Sequence, residues 1–269
     1  MDKIKLAIFG DSFADHFPML SEEGNWDKGG WPGILAASLS DNRDDFIFQG
    51  RSGTSAWYAY SRFLDVVKHN DIERVVFSYT SSQRIPYLPE DIAGEAWRLV
   101  IPDDPFLEFE EEDDMYLTYV KYFYNNDYHQ FVSQQIFRSV NKICKEKNIK
   151  LVNLFPFFDP YNSDGNTTAN ADYDIDDAEY SELYDLYKLC ILECGSDDKM
   201  RYLDTTSGWL PAGQDMRLNH MNNVNNKVIA EKISMLMENN SIVNASKLEG
   251  LDYSAETWAQ YNSISFHNQ

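Results

Sequence analysis

Short apolar runs alternate along this chain with longer segments of helical spacing, and this alternation constrains the fold more than any other feature. The runs predict buried strands, and the adjacent Val75, Val76 and Phe77 are typical of a strand buried on both faces. Strands separated by helices predict a parallel, doubly wound sheet. The predicted strands are Lys3–Phe9, Phe46–Phe48, Arg74–Tyr79 and Ile149–Phe155, and the predicted helices are Trp31–Leu39, Ala56–Val67, Tyr128–Lys147, Ser181–Cys194 and Asn223–Glu238.

Two long segments interrupt the alternation. Residues 82–127 hold no periodic element until their end, and residues 157–180 are rich in Asn, Asp, Gly and Tyr. Loops of this length inside a domain are usually functional. We therefore predict a single α/β domain over residues 1–240 with insertions at about 82–127 and 157–180. The aromatic-rich tail, 241–269, is predicted to dock on this domain or on a partner subunit, the latter giving a homo-oligomer.

The charge balance excludes several classes of partner. The formal net charge is -21, whereas nucleic-acid phosphates and anionic membranes require a basic face. No apolar run approaches the roughly 20 residues of a membrane span, and Met1 leads directly into the first predicted strand without a signal peptide. We expect a cytoplasmic protein that binds neither nucleic acid nor membrane.

No sequence pattern predicts a metal or a cofactor. The residues around Asp164 match part of an EF-hand loop, but Pro160 and Ala171 stand where that loop needs its first carboxylate and its glutamate. The chain has three cysteines, and the sequence contains no second Cys or His pair that would complete a zinc site with Cys190 and Cys194. Reduced thiols are therefore expected. The glycine loop at 50–53 lacks the lysine of a P-loop.

A serine and a histidine stand at element boundaries. Ser12 follows Gly10 and Asp11 in the turn that closes the first predicted strand, and His220 precedes the last predicted helix. Ligands of open α/β sheets bind beyond the carboxyl ends of the strands, so the pair suggests a nucleophile and its base. The alternatives are a serine that caps a helix and a histidine bonded to the backbone at a helix start.

Two segments resemble conserved blocks of the SGNH (GDSL-type) hydrolases. The sequence Gly-Asp-Ser-Phe-Ala over residues 10–14 resembles the first block, and Ser-Gly-Thr over residues 52–54 resembles the second. The resemblance covers about residues 3–80 and 151–238. It implies a flavodoxin-like, three-layer α/β/α fold and an ester hydrolase without a cofactor.

The third and fourth blocks depart from the family pattern. The third block should read Gly-x-Asn-Asp, but this chain has Ser-Tyr-Thr-Ser over residues 78–81, which puts Thr80 at the asparagine position. The fourth, Asp-x-x-His, keeps His220 but has Arg217 in place of the acid. The nearest preceding acid is Asp215, with Asp204 or a backbone carbonyl as substitutes.

The resemblance also implies roles for individual residues. Ser12 would attack the ester carbonyl, His220 would act as base and then acid, and Asp215 would orient the histidine. The oxyanion would be held by the backbone N–H groups of Ser12 and Gly53 together with Thr80. The candidates for substrate binding are Arg84 and Asp11.

The predicted function is that of a serine esterase acting on a small acyl ester. The resemblance suggests an O-acetyl group on a carbohydrate, and Trp57, Tyr58, Tyr79 and Tyr87 offer aromatic faces for a sugar ring, although such residues suit a core equally well. Two alternatives stay open. One is an SGNH-like binding or structural module with weak or no catalysis, and the other is an acyltransferase that uses the same residues.

Overall fold

Among the described residues the sheet has five strand pairings, and each of them is parallel. The computed structural model describes residues 3–11, 13–15, 30–51, 54–80, 122, 125–156, 181–184, 186, 221 and 223–251. Within them the strand order is β2-β1-β3-β4-β5-β6. The strands are β1 Leu6–Gly10, β2 Phe46–Gly50, β3 Arg74–Ser78, β4 Lys150–Phe155, β5 Ser181–Tyr184 and β6 Ile242–Asn244.

In the described parts of the chain four α-helices cover the sheet, and polar side chains cap two of them where they begin. They are α1 Gly30–Leu39, α2 Ala56–His69, α3 Asn126–Glu146 and α4 Asn223–Glu238, with short 3-10 turns at Arg43–Asp45 and Ala245–Lys247. The Ser55 side chain accepts a hydrogen bond from Tyr58 N, and Asn125 does the same for Tyr128 N. These side chains satisfy backbone N–H groups that the first helical turn leaves without a partner.

The side-chain alternation of each strand divides the core into two clusters. Ala7, Phe9 and Phe77 point toward α2 and α3, whereas Ile8 and Val76 point toward α1 and α4. Both faces are covered, which explains the continuous apolar runs of β1 and β3. The predicted three-layer, doubly wound α/β fold is confirmed. No helix in these parts of the chain is long and apolar enough to cross a membrane.

The predicted helix over Ser181–Cys194 is wrong at its start, because Ser181–Tyr184 forms β5. This strand pairs with β4 on one side and with β6 on the other. Ser181 Oγ donates to Leu236 O at 2.6 Å, and the Leu183 side chain is fully buried in the α1/α4 cluster. Pairing and burial therefore outweigh the local helical spacing. Cys190 and Cys194 lie outside the described residues.

The sheet continues past residue 240, where the sequence analysis placed the end of the domain. Strand β6 pairs with β5 over Ile242–Asn244, and Ala245 beyond it is fully buried. Leu248 and Leu251 pack on the same core cluster. The first part of the predicted tail therefore belongs to the sheet and its core. The two predicted insertions and the chain after residue 251 lie almost entirely outside the described residues.

Candidate active site

The strand order locates a crevice between β1 and β3. Strand β2 lies on one side of β1 and β3 on the other, so the chain reverses its winding at β1. Ligands of doubly wound sheets bind at this switch point, beyond the carboxyl ends of the strands. Strand β1 ends at Gly10 and β3 at Ser78, which puts Gly10, Asp11 and Thr80 beside this switch point.

Asp11 links the turn after β1 to the end of β3. Its Oδ1 accepts a hydrogen bond from Phe13 N at 3.0 Å, and its Oδ2 accepts one from Thr80 Oγ1 at 2.8 Å. The backbone adds a bond from Ala14 N to Asp11 O at 3.0 Å. Asp11 is 1% exposed and Thr80 3%. A buried carboxylate therefore holds the chain on both sides of position 12.

The Thr80 hydroxyl has one hydrogen, and here it is donated to Asp11. Service as an oxyanion donor requires the hydroxyl to turn away from that carboxylate. The Asp11 carboxylate, for its part, accepts hydrogen bonds from the chain itself. The oxyanion role of Thr80 and the substrate role of Asp11 stay predictions.

Two glycines make room for this turn. Gly10 and Gly50 stand opposite each other at the ends of β1 and β2. A Cβ on Gly10 would lie 2.7 Å from Ser78 Cβ and 2.8 Å from Ala14 Cβ, and the φ of Gly10 is +156°. A Cβ on Gly50 would overlap the backbone carbonyl of Ala14. The chain at Ala14 therefore crosses directly over both strand ends, and only glycine allows this close approach.

The second glycine loop is anchored to the same strand end. Arg51 N donates to Gly10 O at 3.2 Å, and the one hydroxyl hydrogen of Thr54 is shared between Arg51 O, at 2.8 Å from Oγ1, and Gly10 O, at 3.4 Å. Thr54 is 1% exposed. Arg51 and Thr54, the described residues before and after the predicted donor Gly53, are thus fixed beside Gly10.

Several predicted site residues lie outside the described residues. They are Ser12, Gly53, Arg84, Asp215 and His220. Three of these residues, Ser12, Gly53 and His220, have a sequence neighbour that is described and buried. These neighbours are Phe13, Thr54 and Met221, respectively.

Two residues that the sequence analysis does not predict, Trp31 and Asn226, connect the turn that contains Phe13 with the segment that contains Met221. The Trp31 indole Nε1 donates to Phe13 O, and the Asn226 amide bonds to both Trp31 N and Met221 O. An asparagine in the first turn of a helix is the one local signal, because such residues commonly bond backbone groups near helix starts.

The aromatic residues proposed for a sugar platform divide between core and surface. Tyr79 is 1% exposed and stacks on Phe155 at 5.1 Å between ring centroids, and Tyr58 is buried as well. Trp57, at the start of α2, is 49% exposed. Tyr87 lies outside the described residues. Tyr58 and Tyr79 therefore serve the core.

The titratable groups of the described chain add little to this site. Burial lowers the pKa of His129 in the first turns of α3 and raises that of Cys144 to about 12. Among these described residues no group of three His, Cys, Asp or Glu side chains is placed to hold a metal ion.

The comparisons with known proteins yield structural likeness only. No family model and no curated protein matches this chain. Similar solved structures include an acetyl xylan esterase (16% identity, 86% of this chain and 98% of that chain, TM-score 0.41). Others are an alpha/beta hydrolase enzyme from the metagenome of Lake Arreo, Spain (15%, 88% and 96%, 0.42), and a GDSL-like lipase from Bacteroides thetaiotaomicron VPI-5482 (12%, 87% and 86%, 0.38). These scores are low, so the fold assignment rests on the sheet topology.

Proposed function

We propose that this protein is a serine esterase of the SGNH type with Ser12 as its nucleophile. One observation carries the proposal: three blocks of the resemblance meet at the switch point. Asp11 of the first block bonds Thr80 of the third across 69 positions of sequence. Thr54 of the second block bonds Gly10 O across 44 positions. Local turn chemistry accounts for each block alone, and the parallel β2-β1-β3 order brings the ends of these strands, and with them the three blocks, to one place.

The proposed reaction divides ester cleavage into two steps. Ser12 Oγ attacks the ester carbonyl while His220 takes the hydroxyl proton, and the protonated histidine then gives that proton to the leaving alcohol. Water, activated by the same histidine, releases the acid from the acyl-enzyme. Asp215 orients His220 and stabilises its protonated form.

The tetrahedral oxyanion is bound by the backbone N–H groups of Ser12 and Gly53. Each such donor is worth about 2.7–4 kcal/mol of transition-state stabilisation. Thr80 joins them only when its hydroxyl leaves Asp11. The third-block substitution thus exchanges a side chain with two N–H hydrogens for one with a single hydrogen that already has an acceptor.

For the substrate we propose a small acyl ester, with an O-acetyl group on a carbohydrate as the first compound class to test. Trp57 offers an exposed aromatic face at the start of α2, on the same edge of the sheet as the crevice. Arg84 and Asp11 are the proposed polar contacts to substrate. The net charge of -21 favours neutral or cationic substrates over anionic ones.

The Asp11–Thr80 bond also favours a second candidate, a non-catalytic SGNH-like binding module. The bond takes up the hydroxyl that would complete the oxyanion site. A third possibility, acyl transfer to a sugar, uses the same residues and differs only in the acceptor that attacks the acyl-enzyme.

A fluorophosphonate probe tests the proposed nucleophile. We expect the probe to label the wild type and not Ser12→Ala. Ser61→Ala is the control and should label like the wild type, because the Ser61 hydroxyl donates to Tyr58 O on the surface of α2. Hydrolysis of p-nitrophenyl acetate and of acetylated xylose oligomers should follow the same order. Absence of labelling and of hydrolysis in a folded wild type favours the binding module. Product analysis with added xylose distinguishes transfer from hydrolysis.

A further inference from the structure

We infer that Asn226 and Trp31 are positioning residues that fix the spacing between the Ser12 turn and the His220 segment. The inference rests on the proposed function, in which these two segments supply the nucleophile and its base. Three hydrogen bonds in series connect the described neighbours of Ser12 and His220 in sequence, Phe13 and Met221. Neither Asn226 nor Trp31 has a role in the proposed chemistry itself.

The first part of this link is the Asn226 amide. Its Nδ2 donates to Met221 O at 2.9 Å, and its Oδ1 accepts a hydrogen bond from Trp31 N at 2.9 Å. Trp31 N lies in the first turn of α1, where the helix offers no acceptor. One side chain in the first turn of α4 therefore joins the starts of two helices.

The second part is the Trp31 side chain. Its Nε1 donates to Phe13 O at 2.9 Å, so the ring extends from the start of α1 to the turn after β1. Phe13 N is itself held by Asp11 Oδ1. The peptide groups on both sides of Phe13 thus have fixed partners.

Burial makes this link rigid. Trp31 is 1% exposed, Asn226 4% and Met221 3%, and all three atom pairs are shielded from water. A buried polar group that loses its partner costs about 1–3 kcal/mol, so the alternatives to this arrangement are poor. Consecutive Cα atoms are about 3.8 Å apart, so positions 12 and 220 are each one residue from a fixed peptide.

The kinetic consequence follows from the sensitivity of catalysis to alignment. Displacement of a reacting group by about 1 Å can lower a rate by about 100-fold. Loss of the Asn226 amide frees Met221 O and Trp31 N together. The expected result is slower attack by Ser12 with little change in substrate affinity.

The test compares Asn226→Ala and Trp31→Phe with a matched control, Asn141→Ala. The Asn141 amide makes the same two kinds of hydrogen bond as Asn226. Its Oδ1 accepts one from Asn153 Nδ2 at 3.1 Å, and its Nδ2 donates one to the backbone carbonyl Phe137 O at 2.7 Å. It lies on α3, on the opposite face of the sheet. Trp31→Phe removes the indole N–H and keeps an aromatic ring in the core.

The readouts are the rate of fluorophosphonate labelling, kcat and KM for p-nitrophenyl acetate, and Tm, with activity measured well below the lowest Tm. For Asn226→Ala we expect about a 10- to 100-fold fall in labelling rate and kcat with KM within about threefold of wild type. Trp31→Phe should give a smaller fall in the same direction. Asn141→Ala should lower Tm without changing the labelling rate. A folded Asn226→Ala that reacts at the wild-type rate overturns the inference.

A readout independent of activity separates this inference from the proposed function. The indole N–H resonance of Trp31, assigned by its loss in Trp31→Phe, should exchange with deuterium at least tenfold faster in Asn226→Ala than in wild type or Asn141→Ala. An unlabelled wild type refutes the esterase. Unchanged indole exchange refutes the coupling between Asn226 and the Phe13 turn, whether or not the protein is an enzyme.

Discussion

The sheet has one edge at which the parallel strands end and one at which they begin, and the two are held together by different interactions. At the edge where the strands end, four buried hydrogen bonds connect β1, β3, α1 and α4. Asp11 is the one acidic or basic residue in these four bonds. At the edge where the strands begin, backbone hydrogen bonds are joined by ion pairs at or near the surface. They include Lys5 with Asp45 at 2.7 Å and Lys150 with Glu238 at 2.9 Å.

The difference concerns tolerance to change. Exposed ion pairs contribute about 0–1 kcal/mol each and are screened by salt, so substitutions in an exposed pair such as Lys150–Glu238 are tolerated easily. Each edge holds one buried side-chain atom without a hydrogen-bond partner among the described residues, Arg74 Nε where β3 begins and Ser78 Oγ where it ends. The edge where the strands end also holds two crowded glycines. It is thus the more constrained and the more costly edge, as expected where a site must hold its shape.

Of the substitutions that test this difference between the two edges, Gly10→Ala should lower the free energy of unfolding the most. The new Cβ would crowd Ser78 and Ala14 at a backbone φ that side chains rarely adopt. We expect the free energy of unfolding in urea to fall by about 3 kcal/mol. Gly250→Ala is the control, since its φ is +79° but its Cβ meets only Val228 at 3.7 Å. It should cost about 1 kcal/mol, and an equal loss in both variants would show that crowding at Gly10 is unimportant.

Thr80→Val should have the next largest effect. The substitution keeps the shape of the side chain but removes the hydroxyl that donates to Asp11 Oδ2. Hydrogen bonds to charged groups are worth about 1.5–3 kcal/mol, so a loss of about 2 kcal/mol in urea unfolding is expected. Thr80→Ser, which retains the donor, should recover most of this stability. If valine is as stable as threonine, Asp11 does not depend on this bond.

Ser78→Ala sharpens the comparison in the opposite direction. The Ser78 Oγ is buried and has no hydrogen-bond partner in the described parts of the chain, so its removal leaves none of their groups unpaired. We expect the free energy of unfolding to rise by about 1 kcal/mol. Because the Cβ is kept, the contact with Gly10 is unchanged. A loss of stability would mean that the hydroxyl has a favourable interaction in solution.

Glu238→Gln at the opposite edge should have the smallest effect. Lys150 and then Arg74 lower the pKa of Glu238 from its usual 4.5. A lowered pKa gives stability that is fully present above about pH 4.5 and is lost as the pH falls through the lowered pKa. Wild type and variant should therefore converge in Tm at low pH and also in 1 M salt. Glu146→Gln, in an exposed pair with Lys142 at 3.9 Å, serves as the control.

The sequence predicted those parts of the fold that local patterns determine. Strands β1 and β3 contain continuous apolar runs because both faces are covered, and β4 is apolar from Leu151 to Phe155 apart from Asn153; such runs are visible without a structure. Strand β5 was mistaken for a helix because its conformation depends on the neighbouring strands. Strand β6 has three residues and requires β5 beside it, so no local pattern marks it.

The candidate site divides in the same way. The Gly-Asp-Ser turn is a local sequence feature, and its position at the end of β1 was predictable from the strand before it. The partner of the Asp11 side chain, Thr80, is 69 positions away and depends on the β1–β3 pairing. The contact between Trp31 and Asn226 depends on the packing of α1 against α4, which no sequence motif indicates.

The distance in sequence between Trp31 and Asn226 has a consequence for biosynthesis. Their hydrogen bond joins positions 195 residues apart, and α1 buries its apolar face against α4. A ribosome adds about 5–20 residues per second, so the nascent α1 waits roughly 10–40 s for its partner helix to be made. During that interval Trp31 and Leu35 have no α4 to cover them. The emerging chain is therefore a candidate for chaperone binding at its first helix, and truncation before residue 226 should leave that helix exposed.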